Sequence, residues 1–423
     1  MEGILTISAC RKTCSKINQR GKNVMGLDFT FTEEQNLFRK AVREFMTRNV
    51  APKSKELLKA RLVTPEIHKG FTDLGIFGLL VPQEYGGSAT DFVTFLIAVE
   101  EMTKGDPTGF AGLPIWYGAS CSRILAVYGS AEAKNEVLPK VTKEGWMTPL
   151  HSTEPTCGTD FTSITSTAKK IDGEFVVNGE KTCLSCVPEV MRYGGGFITS
   201  VKTKPELDSK GMSLVYIPSD SKGISTTNYT GMGIDIGGVR YENTHVPERY
   251  LIGSEGRGYQ MTYESFVHAR VPTTMSIVAA AEASIERGIE YLKQRKSFGR
   301  PLGAHEGVQF ELAENYSNVQ ASKLLCYRAA WLIDQYHEGK ATFQETMSAA
   351  SIAKLVASEL CVKVVSDVLE WYGGLGTTTE YDIQQVYRTV RQAVIAEGTK
   401  NAQKIVIAMQ LLGRDFASWK ANE

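Results

Sequence analysis

No apolar run in this 423-residue chain approaches the roughly 18 residues a membrane-spanning helix needs. Neither sign of charge is in excess. The 47 Lys and Arg balance 47 Asp and Glu, for a net charge of zero. No basic face is implied, which excludes nucleic acid as an expected partner. Cysteine is sparse: eight residues are scattered without a regular framework, as for reduced thiols in a reducing compartment. Cys183-Leu184-Ser185-Cys186 is a CxxC, but no second pair stands at zinc-ligand spacing, so no metal is expected. Internal repeats and low-complexity segments are missing too.

What is present is length and pattern. The chain is long enough for two to three domains and a large core. With 42% apolar and 22% charged residues it reads as soluble and globular. Its first 25 residues carry Arg11, Lys12, Lys16, Arg20 and Lys22 against Glu2 alone. They lack the apolar core of a secretory signal. They read as a disordered tail, either transit-like or an upstream start with Met25 opening the folded part.

Thr32-Glu33-Glu34-Gln35 has capping-box form, and Leu37, Phe38, Val42, Phe45 and Met46 follow at helical spacing. Helical pattern recurs from Pro65 to Leu74, from Phe92 to Met102 and from Leu138 to Trp146, with loop breaks at Pro82, Gly86-Gly87 and Asp106-Pro107. Near Met147 the texture changes to Thr, Val, Ile, Gly and Ser. Glu174–Gly179 and Met212–Ile217 predict strands, and Lys169–Gly173 carries an Asp-Gly hairpin signal. Helix returns with Val278, Ala281, Ile285, Ile289 and Leu292 on one face. It continues over Val308–Ile333, Met347–Leu369 and Thr399–Leu412. The expected fold is α+β and multidomain: a tail over 1–25, an N-terminal helical domain over 26–146, a middle β-barrel or sandwich over 147–260, and a C-terminal four-helix bundle over 261–423.

Six segments are candidates for chemistry. Thr153-Glu154-Pro155-Thr156-Cys157-Gly158-Thr159-Asp160 is a polar turn whose hydroxyls and backbone N–H groups can cap a loop or cradle a pyrophosphate. Asn178 to Ser185 is a hairpin leading into a strand. Arg270, in Val267-His268-Ala269-Arg270, is by itself an ordinary salt-bridge residue. Gln294 to Gly299 reads as a helix C-terminus with favourable cations and a Gly stop. Gly373-Gly374-Leu375-Gly376 reads as a helix-ending turn. Finally Glu397, between Ala396 and Gly398-Thr399, is a single carboxylate on a tight turn, a way to aim a lone base into a pocket.

Taken together, in this order and spacing, these segments resemble the acyl-CoA dehydrogenase family over nearly the whole chain from about residue 27. The resemblance implies the same helices–strands–helices order and bound FAD. Thr153, Gly158 and Thr159 would touch FAD, and Ser185 would hydrogen-bond the flavin near its reactive nitrogen. Arg295 and Phe298, with the backbone of Gly373 and Gly374, would grip FAD held by a neighbouring subunit. Thr399 and Asn401 would contact FAD again. Arg270 would flank the CoA chain, and Ala396 and Gly398 would border the acyl group. Glu397 would be the catalytic base; some members place theirs one residue before the arginine, but that position is Ala269. The chain departs from the pattern at Cys183, where the family's Trp packs on the flavin, at Val267 for an Asp, and at Glu370 for a Gln.

These roles imply removal of the α-proton of an acyl-CoA thioester by Glu397, with hydride passing to flavin and a trans-2-enoyl-CoA as product. Electrons would pass to an electron-transfer flavoprotein. Ala396 stands where a bulky residue is usual, and the Gly105–Gly118 segment presents Phe110, Leu113, Ile115 and Trp116. These features favour branched, cyclic or aromatic acyl groups. Alternatives are an enoyl-CoA reductase on the same fold, an oxidase or monooxygenase, and a non-catalytic acyl-CoA-binding subunit, against which the retained Glu397 argues. A homotetramer is implied, in bacterial cytoplasm or mitochondrial matrix.

Overall fold

The computed structural model describes residues 29–416; the tail expected over residues 1–25 lies outside the described residues. The capping box forms as expected. Thr32 N donates to Gln35 Oε1 and Gln35 N to Thr32 Oγ1, each at 3.1 Å, opening helix α1 (Glu33–Phe45). Contacts place the segment ending at Leu37 in one unit and the chain from Phe38 onward in another.

Next come α2 (Ser54–Ala60), α3 (Pro65–Asp73), α4 (Phe92–Gly105), α5 (Gly112–Tyr128) and α6 (Ala131–Glu144). Ser130 and Asp91 cap α6 and α4 through their side chains. Helix α5 has no counterpart among the sequence expectations. It is buried on nearly all sides, so its sequence shows no amphipathic stripe, and it carries Gly112, Pro114 and Gly118.

The middle segment holds β1 (Leu150–His151), β2 (Thr167–Ile171), β3 (Glu174–Leu184), helix α7 (Val187–Tyr193), β4 (Gly196–Lys202), β5 (Met212–Pro218), β6 (Ile224–Tyr229), β7 (Ile236–Pro247) and β8 (Leu251–Ile252). They form one mixed eight-stranded sheet in the order β6-β7-β3-β2-β4-β5-β8, with β1 parallel to β4. The β2–β3 hairpin turns at Asp172 (φ 50°) and Gly173 (φ 82°), the left-handed pair that a two-residue hairpin favours. Strand β3 runs past the expected Gly179 to Leu184. Its register against β7 slips at Gly179 and again between Lys181 and Leu184. In that second irregularity Cys183 takes φ 56°, so the strand is re-aimed where the chemistry was expected.

The C-terminal segment is built on α8 (Gly258–Gln294), a short hairpin of β9 (Lys296–Ser297) and β10 (Arg300–Pro301), then α9 (Glu306–His337), α10 (Phe343–Trp371), α11 (Ile383–Ala393) and α12 (Lys400–Leu412). From Val267 to Ile285, α8 is buried on every face. Its hydroxyls there bond back along the helix, Thr274 Oγ1 to the Arg270 carbonyl at 2.6 Å and Thr273 Oγ1 to that of Ala269 at 2.9 Å. Gly288 lets α10 approach: a Cβ there would fall 2.8 Å from the Trp371 ring. A charged knot joins three helices, with Lys323 of α9 at 2.9 Å from Glu100 of α4 and also bridging Glu282 of α8. No helix among the described residues is long and apolar enough to cross a membrane.

Candidate active site

Glu397 lies in the turn between α11 and α12, in the left-handed region at φ 54°, followed by Gly398 at φ 94°. Such a backbone persists only where its surroundings hold it. Arg270 Nε donates to the Glu397 carbonyl at 3.3 Å, and Arg270 Nη1 to Ser351 Oγ at 2.9 Å. Gln403 Nε2 donates to the carbonyls of Glu397 and Gly398 at 3.2 and 2.9 Å. On the upstream side Lys354 Nζ donates to the Ala393 carbonyl at 2.6 Å, fixing the end of α11. Thr399 caps α12 by accepting from Ala402 N.

The Glu397 carboxylate accepts no hydrogen bond among the described residues. Burial pushes its pKa up to about 6, opposed by the charges of Lys354 and Arg270. Its field is felt by Tyr117 and Cys121 of α5, both pushed up chiefly by burial, Cys121 to about 12. Residues of the expected acyl segment line a cavity beside the C-terminal end of α11. A cavity of ≈ 10 Å³ is lined by Asp106, Gly109 and Leu113, by Ser276 and Ala280 of α8, and by Ala393. Sequence pattern singles out neither Gln403 nor Lys354.

Of the cofactor candidates, Thr153 is tied to the irregular end of β3 and Ser185 directly follows it. Thr182 N donates to the Thr153 carbonyl at 3.0 Å, and His151 Nε2 donates to that of Ser185 at 3.3 Å. Beneath them Lys181 Nζ lies 2.7 Å from Glu154 Oε1. Gly158 and Thr159 are exposed, and a Cβ at Gly158 would meet nothing within 4 Å. Asn401, Ala396 and Thr399 are exposed around the Glu397 turn, and Cys183 is exposed nearby in sequence to Ser185.

Arg295, Phe298, Gly373 and Gly374 gather elsewhere, where α8 and α10 end side by side and Tyr291 packs on Tyr372 with ring centroids 4.3 Å apart. Phe298 is 96% exposed at φ 50° on the tip of the β9–β10 hairpin. Gly373 and Gly374 leave open space where a Cβ would stand. No hydrogen bond, salt bridge or ring contact among the described residues joins this group to Thr153–Thr159 or to the Glu397 turn. The open backbone at Gly158, Gly373 and Gly374, the exposed Arg295 and the solvent-facing Phe298 leave room for an anionic dinucleotide.

Among the described residues one trio, Glu264, His268 and His337, could converge on a metal. Arg123 Nη2 stands 2.7 Å from His337 Nε2, so a guanidinium already occupies the approach.

Comparison with known proteins agrees with this fold. The acyl-CoA dehydrogenase N-terminal, middle and C-terminal domain models match residues 32–145, 150–243 and 256–412. An acyl-CoA dehydrogenase of Bacillus subtilis (strain 168) is 29% identical, covering 90% of this chain and 99% of that protein. A 3-(aryl)acrylate reductase of Clostridium sporogenes is 30% identical, covering 90% and 99%. The solved structure of butyryl-CoA dehydrogenase from Megasphaera elsdenii superposes with a TM-score of 0.84 at 26% identity, covering 92% of this chain and all of that one. The chain belongs to the acyl-CoA dehydrogenase family, flavoprotein oxidoreductases that act on acyl-CoA thioesters.

Proposed function

We propose that the chain removes the α-proton of an acyl-CoA thioester through Glu397, in an α,β-dehydrogenation that yields a trans-2-enoyl-CoA. The observation that carries this reading is a carboxylate without a hydrogen-bond donor among the described residues, on a turn whose backbone is held by Arg270, Gln403 and Lys354; burial raises it to about 6. Desolvation strengthens such a group as a base, and a pKa near the working pH suits proton transfer. Among the described residues nothing accepts from the Glu397 N–H, which would stabilise negative charge developing on a thioester oxygen. Arg270, Ala396 and Gly398 border the substrate.

FAD would be held by Thr153, Gly158, Thr159, Ser185, Thr399 and Asn401 of one subunit and by Arg295, Phe298, Gly373 and Gly374 of another. When bound, it supplies the acceptor for the β-hydride, and an electron-transfer flavoprotein would take the electrons onward. Phe310, Leu324 and Trp331 recur at multiples of seven residues on α9 and are exposed on the single chain, which supports burial against sister subunits in a tetramer. Ala396 and Cys183, each smaller than the residue usual in the family, favour a branched, cyclic or aromatic acyl group.

A second reading, saturation of an enoyl-CoA with Glu397 as proton donor, is favoured by the likeness to the 3-(aryl)acrylate reductase. The deciding experiment is an anaerobic spectral titration of holoprotein with straight, branched, cyclic and aromatic acyl-CoA thioesters. Flavin bleaching that Glu397→Gln slows by about 10²–10⁴-fold supports dehydrogenation. Flavin that no saturated thioester bleaches, while enoyl thioesters reoxidise its reduced form, moves the reading to the reductase.

A further inference from the structure

Lys354 is a buried charge to which the proposed chemistry gives no role. Its side chain is 0% exposed, in the middle of α10. Among the described residues one other lysine is buried this deeply, Lys181, and it has a carboxylate at 2.7 Å. Lys354 has no such direct partner among the described residues. The Ala393 carbonyl takes one of its three donors, and the one carboxylate whose field reaches it is Glu397, four residues further along the chain. A lone ammonium in the interior is costly, and an apolar side chain of the same length would pack there at less cost.

The groups that face Glu397 are Lys354 from α10, Arg270 from α8, and Tyr117 and Cys121 from α5. Gln403 of α12 meets its backbone. Arg270 is spent on the Glu397 carbonyl and Ser351. Tyr117 and Cys121 are kept neutral by burial. Of the two cations, Lys354 acts on the carboxylate more strongly.

We propose that Lys354 is a positioning residue for Glu397: it anchors the end of α11 through Ala393, and its charge holds the Glu397 side chain as a carboxylate. This rests on the reading of Glu397 as the base. When Glu397 takes a proton, Lys354 loses the charge that compensates it, so the ammonium favours the carboxylate form of Glu397 over the protonated one. Burial, drawing Lys354 down to about 7, accords with a cation that depends on Glu397 to persist.

The test is an infrared pH titration of the FAD-loaded protein, following the protonated-carboxyl band that Glu397→Gln removes. In Lys354→Met the Glu397 midpoint rises by about one pH unit or more, a tenfold change in proton affinity, and Lys354→Arg restores most of it. Lys354→Gln keeps a donor for Ala393 without the charge; it shows the same rise with less loss of thermal stability, and it decides the question if Lys354→Met does not fold. A midpoint unchanged in the neutral variants overturns the proposal. The band is read without turnover, so a protein that no acyl-CoA bleaches would refute the dehydrogenase reading while the midpoint still judged Lys354.

Discussion

Lys181 Nζ lies 2.7 Å from Glu154 Oε1 with both side chains closed to solvent, and this pair fastens the Thr153–Asp160 turn to strand β3. Glu154 also accepts from Thr165 N at 2.7 Å and Ser166 N at 3.0 Å. These donors and the ammonium hold the carboxyl down at about 2 against the opposing effect of burial. Two motifs that look separate in sequence are thus one mechanical unit. Removing one partner leaves the other charge buried and unpaired. Lys181→Met and Glu154→Gln should each destabilise the protein by about 3–5 kcal/mol in urea denaturation, and their combination by less than the sum. Additive losses would sink the pairing as the cause. The depressed pKa sets the pH window: the pair's stabilisation is present above about 4.5 and is lost as pH falls through about 2.

Glu397 has the opposite sign. A base works deprotonated, so the rate of flavin reduction should rise with pH through about 6 and level off above it. Because the folded pKa is raised, the native state binds the proton more tightly than the unfolded chain. The stabilisation is therefore full below about 4.5 and lost as pH rises through about 6. Glu397→Gln, which has no charge to desolvate, should gain stability over wild type at pH 7 relative to pH 4.5. Denaturation at the two pH values measures this, and a constant difference would refute the desolvated base.

The readable part of the site was the part written as contiguous segments. Glu397, Gly398 and Thr399 are adjacent; a lone Glu-Gly-Thr is common, and what marks this one is its spacing to Gly373–Gly376 and the apolar helix that follows. Arg295 and Phe298 lie on a turn whose composition announces it. Lys354 was not readable: Ala353-Lys354-Leu355 looks like any helical stretch, and sequence spacing does not say that the face it sits on packs under a distant turn. Helix α5 escaped for a related reason, since burial on all sides erases the periodicity from which helices are read. The bundle helices were legible, but only the structure shows that α8 is the element around which the others pack.

Gly398 offers a test of how closely the turn is fitted. A Cβ there would sit 2.7 Å from Gln403 Nε2, at a φ of 94° that side chains rarely adopt. Gly398→Ala should therefore displace Gln403 and slacken the hold on the Glu397 carbonyl. A cost of about 1–3 kcal/mol in stability is expected, with a larger proportional fall in kcat than in KM. Gln403→Ala, which removes the two hydrogen bonds and leaves the backbone allowed, should reproduce the kcat loss. If Gly398→Ala loses stability and Gln403→Ala keeps full kcat, the turn's fit is structural only.

Cys183 gives a readout of the flavin's position that needs no substrate. Five other cysteines among the described residues, Cys121, Cys157, Cys186, Cys326 and Cys361, are buried, while Cys183 is exposed on the irregular end of β3. Thiol reagents reach an exposed cysteine and spare buried ones. Site-resolved mass spectrometry of protein treated with iodoacetamide should therefore find Cys183 labelled ahead of those five. If the proposed FAD site lies against Thr153 and Ser185, loading the protein with FAD should slow labelling at Cys183 severalfold and leave the rest unchanged. Arg295→Gln, which would weaken the proposed grip from a neighbouring subunit, should return part of that reactivity at a fixed FAD concentration. Equal labelling of Cys183 with and without bound FAD would place the flavin away from β3 and would remove Ser185 from its contacts.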